Sequence, residues 1–114
     1  MSEVDVDEVF FIKQGDLEPP LELLVRGSAG DLNTVESWTV VGSRNGEEVF
    51  RDTDADFTPG VTPQSGVVKH VWLAGETDDL GSMDVDTIGF WPGDRPQTFP
   101  PRNHCRVVIS KKLP

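Results

Sequence analysis

The feature that most constrains this chain is its punctuation. Eleven glycines and nine prolines cut its 114 residues into short apolar runs. Few windows carry the helical period, and the runs favour Val, Ile, Thr, Phe and Trp, residues that suit a pleated, half-buried surface. Seven runs read as strands: "VFFIKQ" from Val9, "LELLV" from Leu21, "SWTVVGSR" from Ser37, "EEVFR" from Glu47, "VVKHVWL" from Val67, "SMDVDTIGFW" from Ser82 and "CRVVISK" from Cys105. Leu21, Leu23 and Val25 share one face, as do Met83 and Val85, with Asp84 and Asp86 opposite. Val68, His70 and Trp72 form one face of their run, and Val67, Lys69, Val71 and Leu73 the other. Asn45-Gly46 between two runs is a strong two-residue hairpin signal. The phase blurs near Gly89, where a bulge is expected. About seven short strands between frequent turns predict an all-β chain, an antiparallel β-sandwich.

The length fits one domain over residues 1–114, large enough for a core without a disulfide. The acidic stretch 1–8 reads as an arm, and 52–66, "DTDADFTPGVTPQSG", as a loop. Cys105 is the single cysteine, so no intrachain disulfide can form. The opening "MSEVDVDE" has no long apolar run, so no signal peptide is expected, and no stretch suggests a membrane span. Twenty acidic residues against ten basic ones give a net charge of −10, which disfavours binding to nucleic acid. Asp outnumbers Glu and Arg outnumbers Lys. Dispersed acid with few lysines suits very high salt, where the Debye length is about 3 Å and self-repulsion costs little. A halophilic source is expected.

No constellation commits the chain to chemistry. Asp52, Asp54 and Asp56 have the spacing that opens a calcium loop. However, Phe57 stands where the turn needs Gly and Pro63 where the bidentate Glu belongs, so a solvated acidic loop is the simpler reading. His104-Cys105 and His70 are too few for a zinc site, and neighbours on a strand point to opposite faces, which argues against a Cys–His nucleophile. Cys105 is expected to begin the last strand as a small buried residue. Acid pairs such as Asp78-Asp79 arise by chance in so acidic a chain. "GDLNTVES" and "GDRPQT" lack the Lys-Ser/Thr of a phosphate loop. No enzyme, cofactor or metal is expected. The adjacent pairs Phe10-Phe11 and Phe90-Trp91 each send one ring to either face of a strand, so one ring of each is expected to cover an edge or meet another subunit.

The succession of these runs resembles the N-terminal domain of phage baseplate upper proteins. "FFIKQGDLEPPLELLV" is similar to its opening: a strand, a Gly-Asp corner, a proline and an apolar second strand. "GDL" and "SWTVV" follow in order. "SGVVKHVWLAGETDDLGSMDVDTIGFW" resembles its middle, and "QTFPPRNHCRVVISKKL" its ending. The loop 52–66 has no counterpart. The resemblance implies an Ig-like sandwich in which the Gly-Asp corner redirects the first strand. It implies a non-enzymatic structural protein of a tailed virus, located in the virion at tail, baseplate or neck. Its partners would be other virion proteins, met as a symmetric homo-oligomer or as copies on a larger assembly. Phe10, Phe11, Phe90, Trp91, Phe99, Pro100 and Pro101 are the expected interface. A head decoration protein is the alternative within a virion. A carbohydrate-binding sandwich is the alternative outside it, with Trp38, Trp91 and the "DTDAD" segment as its only candidates.

Overall fold

The computed structural model describes residues 9–27, 30–99 and 106–111. The chain is all-β; the described residues form nine strands in two sheets and one short 3-10 turn at Leu32–Thr34. The strands are β1 (Val9–Lys13), β2 (Leu21–Arg26), β3 (Ser37–Arg44), β4 (Glu47–Asp52), β5 (Asp56–Pro59), β6 (Ser65–His70), β7 (Gly81–Trp91), β8 (Arg95–Phe99) and β9 (Arg106–Ser110). The large sheet runs β1-β9-β7-β3-β4, with β8 also paired to β7; the small sheet runs β2-β6-β5. Every pair is antiparallel except β1 with β9.

The alternating patterns place the core. Leu21, Leu23 and Val25 of β2 and Val68 of β6 face inward from the small sheet. Ile12, Trp38, Val40, Phe50, Met83, Val85, Phe99, Val107 and Ile109 face them from the large one, in a single buried cluster. Asn45 and Gly46 both have positive φ (53° and 81°), the geometry of a type I′ hairpin turn, and they join β3 to β4 as expected.

Three expectations need correction. The segment 52–66 is not simply a loop: β5 forms within it, pairs with β6, and turns Phe57 in against Trp38. The section after Trp91 holds β8, whose Pro96 is tolerated on a strand that pairs only with β7 among the described residues. These two strands raise the count to nine. No bulge occurs at Gly89, where β7 keeps register with both β3 and β8. Thr87 and Gly89 simply continue the inward row of Met83 and Val85. Gly89 looks out of phase because rings fill its place: a Cβ there would lie 3.2 Å from Trp38, Phe99 and Val35. The bulge lies in the β3–β4 ladder, at Gly42/Ser43.

The Gly-Asp corner switches sheets, since β1 belongs to the large sheet and β2 to the small one. Gly15 turns at φ 81° while the Asp16 amide donates to the Lys13 carbonyl at 3.0 Å. The corner is then stapled to the segment between β6 and β7. The Gly15 amide donates to the Thr77 carbonyl (3.0 Å), the Thr77 hydroxyl to the Asp16 carbonyl (2.9 Å), and Gln14 Nε2 to the Asp78 carbonyl (2.7 Å).

Candidate functional site

Two places in the molecule concentrate features that a bare sandwich does not require. The first is the outer face of the large sheet. Alternation along β1 turns Phe10 inward, where it is half-buried and its ring centroid lies 6.2 Å from that of Trp72. Phe11 points outward and is 68% exposed. Its register partner Val108 on β9 is half-buried, and Ser82 of β7 lies next along the same row. At the other end of β7, Phe90 is the outward ring of its pair and is half-buried. Trp91 packs against the rim of the core, its indole Nε1 donating to Gln97 Oε1 at 3.2 Å.

Among the expected interface residues, the structure therefore leaves Phe11 and Phe90 outward and turns Phe10 and Trp91 inward. Phe99 is corrected. It is buried in this chain's own core, 5.3 Å from Trp38 between ring centroids, and has almost no surface for a partner. Pro100 and Pro101 lie outside the described residues, as do the acidic arm 1–8, His104 and Cys105. Trp38 is also corrected as a carbohydrate platform: it is 3% exposed and stacked on Phe57 at 5.1 Å.

The second place is a polar array at the edge of the core. His70 is 1% exposed, with its ring between two carboxylates. Nδ1 lies 2.7 Å from Asp52 Oδ2, and Nε2 lies 2.9 Å from Glu76 Oε1. The strand β4 supplies Asp52, β6 supplies His70, and the following segment supplies Glu76, so the array joins the two sheets. The imidazole stacks on Phe50 (centroids 4.5 Å apart, planes at 12°) and meets the edge of Trp72 at 5.0 Å. Each carboxylate also accepts a backbone N–H: Asp52 Oδ1 from Asp54 at 2.9 Å, and Glu76 Oε1 from Leu73 at 2.8 Å.

Two of the three aspartates have other places in the structure. Asp52 is committed to His70, and Asp56 is already in β5 opposite Lys69. Among the described residues no group of three or more His, Cys, Asp or Glu side chains is placed to hold a metal ion. Sequence reasoning missed the array, although one signal pointed to it. A histidine in line with Val68 and Trp72 must face the core, and a buried imidazole needs hydrogen-bond partners. A cleft of about 340 Å³ opens beside the array, lined among others by Arg51, Asp54, Asp56 and Lys69.

No protein-family model matches the chain, and no curated protein matches it in sequence.

Proposed function

We propose that this chain is a non-enzymatic structural protein of a tailed virus that infects a halophilic archaeon, held in the tail, baseplate or neck by contacts with other virion proteins. The reading rests on the ordered succession of motifs described above. The structural observation that favours it is Phe11. A ring 68% exposed on the outer face of β1 leaves up to a few kcal/mol of burial unrealised. It sits beside half-buried Val9 and Val108 on the same face, and an apolar spot of that kind is suited to packing against a partner. The carbohydrate-binding alternative is weakened, because one of its two tryptophans is a core residue and the other is half-buried at the rim. A head decoration protein would use the same kind of contact.

Mass spectrometry of purified virions tests the proposal. The protein is expected in particles at a fixed ratio to the major structural proteins, and detergent-free disassembly should release it together with tail or neck components. Its complete absence from particles would end the structural reading. Release with isolated head shells would transfer it to the decoration alternative.

A further inference from the structure

The Asp52–His70–Glu76 array takes no part in the proposed packing role, and a buried polar array of this kind is a demanding thing to keep in a core. A neutral imidazole has one N–H and one lone pair. It can donate to one carboxylate only, and its other nitrogen then faces an oxygen lone pair. Here both nitrogens lie within hydrogen-bond distance of a carboxylate, 2.7 Å and 2.9 Å. Each carboxylate also accepts a backbone amide, Asp52 on the oxygen turned away from the ring and Glu76 on the same oxygen that meets it.

The two sides differ in stiffness. Asp52 ends β4, paired to Val40 of β3, and lies on the sheet framework. Glu76 lies in a turn whose own closure depends on it: Leu73 N–H donates to its side chain at 2.8 Å, and its amide donates to the Leu73 carbonyl at 3.1 Å. The turn is anchored on one flank by Trp72, whose Nε1 donates to the Pro19 carbonyl, and on the other by Thr77. Between those anchors, the described contacts that tie the turn to the rest of the molecule run through the array.

We propose that Asp52, His70 and Glu76 form a proton-dependent latch. With a proton on each ring nitrogen, the Leu73–Glu76 turn is held against the sandwich. When the ring gives up its second proton, the Asp52 contact remains and the Glu76 contact opens, releasing the turn that borders the cleft. Hold is therefore present on the acid side of that proton loss and disappears as pH rises through it. The charged groups that line the cleft beside the array are balanced in sign, and Arg51 is paired with Glu48. Arg51 of β4 and Lys69 of β6 are cationic, and Asp54 after β4 and Asp56 of β5 are anionic. Phe50, Trp72 and Leu21 supply only apolar or ring surface.

The test is amide exchange of Leu73 and Glu76 as a function of pH, expressed as protection relative to amides of β3 and β7, alongside the nitrogen-15 spectrum of the His70 ring. The latch predicts two ring N–H groups when the turn is protected. It also predicts a loss of protection of about tenfold to a hundredfold, the span for a hydrogen bond to a charged group, in step with the loss of one N–H. Glu76→Gln can offer Nε2 either an oxygen or an amide N–H, so it should keep the turn closed while flattening the pH dependence. Glu76→Ala should leave the turn unprotected at every pH. A Glu76→Gln profile that follows wild type overturns the latch. So does a ring that carries one N–H throughout while the turn stays protected, or a turn whose protection does not change with pH.

Discussion

The core holds two aromatic groups that solve the same problem differently. One gathers Trp72, His70, Phe50 and Phe10, and the other gathers Trp38, Phe57 and Phe99. In the first, the described polar atoms are all spoken for: Trp72 Nε1 donates to the Pro19 carbonyl at 3.2 Å, and both nitrogens of His70 meet carboxylates. In the second, Trp38 Nε1 is buried with no hydrogen-bond partner among the described residues. The first group joins three separate parts of the chain through specific polar contacts. The second relies mainly on ring contacts, Trp38 stacked on Phe57 at 12° between planes and tilted against Phe99 at 53°. Polar contacts fix geometry and are costly to disrupt, whereas stacked rings tolerate change as long as volume is kept.

The largest expected effect follows from removing the polar hub. His70→Ala leaves Asp52 and Glu76 without their shared partner at the edge of the core and opens a cavity beneath Phe50. Emptying a large buried site and leaving its two part-buried carboxylates without their partner costs about 3–5 kcal/mol. Denaturant unfolding should show a midpoint shift of that size with an unchanged slope. A loss under about 1 kcal/mol, within the range of an ordinary surface change, would mean that the array contributes little and that the two aromatic groups are alike after all.

The same contrast marks what the sequence could reveal. Strands with an alternating pattern were legible, β2 through Leu21, Leu23 and Val25 and the first half of β7 through Met83 and Val85 between Asp84 and Asp86. The Asn45-Gly46 turn was legible because only residues tolerant of positive φ fit there. By contrast, β5 was hidden. Its run is only four residues long, Asp56 and Pro59 are poor strand formers, and only Phe57, stacked on Trp38, reveals its inward face. Pro96 hid β8 in the same way. Nothing local signals that β1 lies parallel to β9, because such a pairing is fixed by the sheet as a whole. The array was half legible: the inward face of His70 could be read from Val68 and Trp72. Its partners could not, because Asp52 lies 18 positions away and on the other sheet.

A matched pair of substitutions sharpens the comparison. Trp72→Phe and Trp38→Phe remove the same atoms from two buried sites. At position 72 the change also breaks a hydrogen bond and leaves the Pro19 carbonyl short of a donor. At position 38 it removes an N–H that has no partner among the described residues. An unmet buried polar group costs about 1–3 kcal/mol, so this term should offset much of the lost packing at position 38. Trp72→Phe is therefore expected to be the more destabilising by about 1–2 kcal/mol, measured by denaturant unfolding under identical salt. Equal losses would show that the Trp38 indole finds a partner in solution, most simply an ordered water.

The smallest effect on stability is expected outside both groups, at Phe11. Its ring is outward and two-thirds exposed, so Phe11→Ser removes little that the folded chain uses, and the change should stay within about 0.5 kcal/mol. Its neighbour Phe10 differs only by facing inward toward Trp72, and Phe10→Ser should cost about 1–3 kcal/mol by the loss of a half-buried ring. If the outer face of the large sheet packs against another virion protein, the order reverses in an assembly assay. Phe11→Ser should then fold like wild type yet enter particles poorly in competition with it. Phe90→Ser, from the other outward ring, should behave in the same direction but more weakly, because that ring is already half-buried within the chain. Normal incorporation of the Phe11 variant would remove this face from the interface and leave the contact to be sought elsewhere on the sandwich. Unfolding of the Phe11 variant would instead show that the ring is held by the chain itself, which its exposure argues against.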